Sequence, residues 1–75
     1  MLDIDLPERQ RRNIGKRIRK TRERERITQR TLAERIGVGV DRVSLAENGK
    51  LRISQEELNA ICRALNCQME DLLTL

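Results

Sequence analysis

The chain has 75 residues, a net charge of +4, and no Phe, Tyr, Trp or His. A core built only from Leu, Ile, Val, Ala, Met and Cys in one small domain argues against an aromatic-rich sheet and for close-packed helices. No apolar run approaches the roughly 18 residues of a membrane span, and the acidic start MLDIDLPERQ lacks the basic-then-apolar order of a signal peptide. Charge is uneven: residues 9–35 carry twelve Lys or Arg against Glu23, Glu25 and Glu34, whereas residues 36–75 carry four against six acids. One end of the molecule is therefore suited to a polyanion.

Residues 1–13 read as an N-terminal extension, partly helical, and 14–75 as the folded domain. A first helix is expected from Pro7, which fits a first helical turn, to about Glu25, with Ile14 and Ile18 as a thin apolar stripe. A second follows Thr28 as N-cap, with Ile27 and Leu32 as a hydrophobic staple. It turns Leu32, Ala33 and Ile36 inward and stops at Gly37. A third is expected from Val40 to Asn48, with Val43 and Ala46 inward and Gly49 as its stop. In the fourth, Ser54 and Glu57 form a capping box, Ile53 and Leu58 a staple, and Leu58, Ile61, Cys62 and Leu65 one face, with Asn66 as the terminal cap. A short fifth helix runs from about Met69 to Thr74. Cys62 and Cys67, without His or further Cys, read as small apolar residues in a reducing cytoplasm rather than metal ligands. The fold class is all-α, a compact five-helix bundle.

The stretch from Gln29 to Asn48, QRTLAERIGVGVDRVSLAEN, has the parts of two helices crossing steeply through a short turn. Ala33 is small where the second of these helices must approach, Gly37 tolerates a positive φ, and Leu32, Ile36, Val38, Val43 and Ala46 form a shared interior. With the flanks IGKRIRKTRE, VSLAENGK, ISQEELNAICRALN and MEDLL, the chain closely resembles the lambda-repressor-like (Cro/XRE-type) DNA-binding domain over about residues 14–73.

That resemblance implies a sequence-specific, double-stranded-DNA-binding transcriptional regulator, cytoplasmic and of prokaryotic or phage type. Its base-reading positions fall on Val40, Asp41, Ser44 and Leu45, with Arg42 alongside. Thr28 and Gln29 at the start of the second helix, and Asn48 and Lys50 after the third, are the implied phosphate contacts, and Arg52 lies close enough to reach a phosphate or the minor groove. Arg22 and Glu47 match a structural ion pair. Departures from the family pattern are Val40 and Asp41 in place of Gln or Ser, Gly39 in place of a hydroxyl N-cap, Thr21 in place of Leu, and Arg26 in place of Gly. Val40 and Leu45 suit thymine methyl groups and Asp41 a cytosine amino group; alternatively the two apolar residues form a protein-contact patch. Relatives bind as dimers on inverted repeats, and Leu72, Leu73 and Leu75 are the expected homodimer contact, unless Leu72 and Leu73 only complete the core. No cofactor, metal, membrane or small-molecule ligand is expected. With no His and no Gly-rich phosphate loop the chain is not expected to be an enzyme. The alternative function is a protein-binding module or antitoxin that keeps the fold.

Overall fold

Five helices follow one another in the computed structural model, which describes residues 7–73: α1 (Glu8–Arg24), α2 (Gln29–Ile36), α3 (Val40–Glu47), α4 (Gln55–Leu65) and α5 (Met69–Leu73). The fold is all-α, as expected. Each boundary has a local cause. Pro7 stands before α1 with φ −55°, and its carbonyl accepts from the Arg11 amide at 3.0 Å. Thr28 caps α2, its hydroxyl accepting from the Thr31 amide at 3.0 Å. Gly37 then ends that helix in the left-handed region at φ 75°. Ser54 and Glu57 close the capping box at the start of α4, and Asn66 ends it at φ 55°. Arg26 takes the left-handed conformation, φ 58°, in the turn between α1 and α2. For a residue with a Cβ that conformation costs on the order of 1 kcal/mol.

The helices enclose one core. Ile18, Leu32, Leu58, Leu65 and Leu72 are wholly buried, and Ile14, Ala33, Val43, Ala46, Ile53, Ile61 and Cys62 complete the layer. Each large aliphatic side chain contributes roughly 1.5–3 kcal/mol by leaving water. Thr21 is buried too, so α1 spends one core position on a hydroxyl.

Leu72 was left between a dimer contact and the core; α5 packs back against α1 and α4, and Leu72 has no exposed surface within the protomer. Leu73 is partly buried against the same core. Leu75 and Thr74 lie outside the described residues. Cys62 and Cys67 are free thiols. Burial pushes the Cys62 thiol up to about 12, so it stays protonated and serves as apolar filling.

Candidate nucleic-acid interface

α3 is held by its inner face and presents its outer one. Val43, Ala46 and Glu47 point into the protein, whereas Val40, Asp41 and Leu45 are exposed and Ser44 is partly so. At 100° per residue these four share one side of the helix. Val40 and Leu45, at 38% and 43% exposure, are the large exposed hydrophobics among the described residues, and both lie on this face. Elsewhere the described surface offers an apolar ligand far less, so the exposure is concentrated where α3 would meet a partner.

The inner end of α3 is fixed by a buried ion pair. Arg22 Nε donates to Glu47 Oε2 at 2.6 Å and its second terminal nitrogen to Oε1 at 3.1 Å, with side-chain exposures of 11% and 2%. The remaining arm of the guanidinium donates to the Ile27 carbonyl at 2.8 Å, so one side chain joins α1, the α1–α2 turn and α3. The hydrogen bonds to Glu47 raise the Arg22 pKa against the opposing effect of burial. Gln29 Nε2 adds a bond to Glu47 Oε1 at 3.0 Å, which brings the start of α2 against the end of α3. A carboxylate this buried is stable only because each of its oxygens is satisfied, and the geometry fixes an orientation more than it adds stability.

The other end of α3 is tied to α4. Arg42 Nε and a terminal nitrogen donate to the two Glu57 oxygens at 2.7 and 2.6 Å. The hydrogen bond from Arg42 is the main reason the Glu57 carboxyl lies below its ordinary range, and it raises Arg42 in turn. The sequence placed Arg42 beside the base readers. In the structure its guanidinium is engaged by the capping box of α4, at the flank of the exposed face. Nothing short-range in the sequence signals that pairing across fifteen positions.

Two glycines explain how closely α1 lies on α3. A Cβ on Gly15 would collide with the carbonyls of Glu47 and Ala46, the latter at 2.6 Å, and a Cβ on Gly49 would meet the Arg12 backbone at 2.7 Å. Sequence reasoning recognised Gly49 as a helix stop but assigned Gly15 no role. The available signal was a glycine inside a helical pattern, which costs about 1 kcal/mol against alanine and so points to close packing. The proposed phosphate-contacting residues cluster where α2 begins and α3 ends: Thr28, Asn48, Lys50 and Arg52 are exposed, and Gln29 is partly buried. Asn48 Nδ2 folds back to the Ser44 carbonyl at 2.8 Å.

Residues 17–75 match the family described as Cro/C1-type HTH DNA-binding domain. The chain belongs to that family. The HTH-type transcriptional regulator YozG of Bacillus subtilis (strain 168), itself described as uncharacterized, is 44% identical over 43 residues, 56% of this chain and 51% of that protein. The chain thus matches about half the length of this curated relative. Among solved structures, the clp gene regulator ClgR from C. glutamicum superposes with a TM-score of 0.83 at 33% identity, covering 85% of this chain and 82% of ClgR. The restriction-modification controller protein C.AhdI from Aeromonas hydrophila gives 0.80 at 26% identity, over 83% and 94% of the two chains. The P22 c2 repressor, solved in complex with a synthetic operator, gives 0.75 at 33% identity, over 81% and 92%. The stretch that the sequence marks as the helix-turn-helix is folded as α2, a turn over residues 37–39, and α3. The homologues and the fold are those of DNA-binding transcription regulators.

Proposed function

We propose that the protein is a sequence-specific transcriptional regulator of a prokaryotic cytoplasm that inserts the outer face of α3 into the major groove of an operator. The observation that carries this reading is the division of α3 into two faces. Ion pairs to α1 and α4 hold the helix from behind, and its outer face exposes Val40, Asp41, Ser44 and Leu45. Val40 and Leu45 pack on thymine methyl groups, Asp41 accepts from a cytosine amino group, and Ser44 hydrogen-bonds to either edge. Thr28, Gln29, Asn48, Lys50 and Arg52 set the register on the phosphates. Arg22 and Glu47 act as the structural pair that fixes the angle of α3.

An eight-residue helix reads only a few base pairs, so the proposed unit is a homodimer on an inverted repeat with half-sites roughly 34 Å apart. With Leu72 enclosed, Leu73 and the segment carrying Leu75 remain as the proposed contact. Residues 14–75 form the domain and 1–13 its extension.

Selection from a random-sequence duplex library, followed by a salt titration of the enriched duplexes, tests this. The expected result is an inverted repeat with half-sites one helical turn apart, bound with a slope of about −0.9 per neutralised phosphate. Weak, sequence-blind binding would instead assign the apolar face of α3 to a protein partner.

A further inference from the structure

The cations of α1 fall into two groups. Arg12 pairs with Glu8, Arg19 with Glu23 and Arg24 with Glu25, while Arg22 is buried on Glu47. Arg9, Arg11, Lys16, Arg17 and Lys20 pair with no carboxylate among the described residues, and Arg11, partly buried with its Nε unsatisfied, lies only about 40° around α1 from Gly15 and so off the stripe. Arg9, Lys16 and Lys20 are exposed and Arg17 partly so. Lys16, Arg17 and Lys20 line, with Asn13, an open groove of about 300 Å³. Arg17 and Lys20 also border the adjoining depression beside Thr21, Arg24 and Asp71.

Lys16, Arg17 and Lys20 are turned away from the side of α1 that packs on α3. α1 touches α3 through Gly15 and Arg22, and Arg12 lies on the turn that follows α3. At 100° per residue the four cations lie roughly 100–160° around α1 from Gly15. α3 in turn faces α1 with Val43, Ala46 and Glu47, opposite to its exposed side. The stripe and the reading face therefore both point away from the α1–α3 contact and do not share it.

We infer that this stripe is a second nucleic-acid site, which takes the phosphate backbone of another duplex segment while α3 holds the first, so that the protein bridges two stretches of DNA. The inference rests on α3 docking in a groove as proposed above. From Arg9 to Lys20 the stripe runs about 16 Å along the helix axis, which spans roughly five phosphates at 3.4 Å of rise on one strand. It contains no apolar residue, whereas a protein partner needs an apolar or aromatic anchor and a membrane surface needs an apolar helix face. A phosphate backbone needs neither. The molecule is 21 Å thick across its shorter axes. Two duplexes held across that thickness would be separated by more than the roughly 8 Å screening length at physiological salt, so their repulsion is largely screened.

The test immobilises a duplex enriched by selection, loads it with the full chain, and measures capture of a labelled random-sequence duplex. Four phosphate contacts give a salt slope for capture of about −3 to −4, a loss of about 100-fold between 50 and 200 mM salt. Lys16→Gln with Lys20→Gln is expected to reduce that slope by about 2 and capture by at least about tenfold. Its affinity for the immobilised duplex should stay within about twofold of the parent, since neither lysine lies on the reading face of α3. The inference is overturned if no second duplex is captured, or if the double variant loses affinity for the immobilised duplex in parallel with capture. Capture of a polyglutamate peptide as strongly as DNA would overturn the assignment to nucleic acid. Leu45→Glu separates the two levels of the account. Loss of the immobilised duplex supports the α3 reading on which bridging rests, and retention overturns that reading together with the bridge.

Discussion

Replacing Gly15 by Ala sets helix propensity against packing. In an exposed helix interior the change would stabilise the protein by about 0.8–1.0 kcal/mol. Here the new Cβ would stand 2.6 Å from the Ala46 carbonyl oxygen and closer still to that of Glu47. The nearest ordinary C–H···O contact is about 3.3 Å, so α1 and α3 must separate by at least roughly 0.7 Å. Both obstacles are backbone atoms at the end of a helix, and no side chain can rotate away to relieve them. Overpacking of this kind costs about 1–3 kcal/mol, occasionally more. The separation would also stretch the 2.6 Å bond between Arg22 and Glu47, which loses part of its compensation for two buried charges. The net expectation is destabilisation of about 1–3 kcal/mol, packing and the weakened pair together outweighing propensity. Urea unfolding followed by far-ultraviolet circular dichroism measures it, with an unchanged m-value showing that stability alone has moved. A Gly15→Ala variant as stable as the parent, or more so, would refute the claim that α1 lies in backbone contact with α3.

Further predictions concern the second tie on α3 and the thiols. If Arg42 is a strut rather than a base reader, Arg42→Ala, Glu57→Ala and the double variant should weaken operator binding to similar extents, with the consensus unchanged. The stability cycle for this half-exposed pair should give a coupling of about 0.5–1 kcal/mol. A changed base preference for Arg42→Ala, together with tighter binding by Glu57→Ala, would make it a reader that Glu57 restrains. Because Arg42 holds the Glu57 carboxyl below its ordinary range, that pair stabilises the fold fully above the unfolded value of about 4.3. The contribution is lost as pH falls through the lower folded value. The stability difference between the parent and Glu57→Gln should accordingly be flat near neutrality and shrink below about pH 4; growth of the difference on acidification would contradict the assignment. With its thiol pushed up to about 12, Cys62 should react with a disulfide reagent at pH 8 at least about 100-fold more slowly in the folded chain than in urea. Equal rates in the two states would show that it is not buried.

Most helix ends were legible because the signals that set them are local. Thr28, the Ser54–Glu57 box, Gly37 and Asn66 act within four positions of the bonds they make, and each occurs where the sequence placed it. At Arg26 the resemblance alone marked the turn, by placing glycine there, and left open whether the turn would close differently or adopt the left-handed conformation it has. What pairs across the fold was not. Arg42 meets Glu57 and Gln29 meets Glu47 only after α3 has been laid against its neighbours. Gly15 matters only because α1 approaches the end of α3. Leu72 stayed open between the core and a dimer contact because the packing of α5 back on α1 has no local signature. On α3 the pattern identified which residues face outward, while what they contact depends on a partner outside the chain.

The central claim is that α3 reads DNA from the major groove. Dimethyl sulfate tests it most directly, because it methylates guanine N7 in the major groove and adenine N3 in the minor groove. On a selected duplex the account predicts protection of guanine N7 in two patches one helical turn apart, with adenine N3 within those patches still reactive. Protection confined to adenine N3, or no protection at saturating protein, would contradict it.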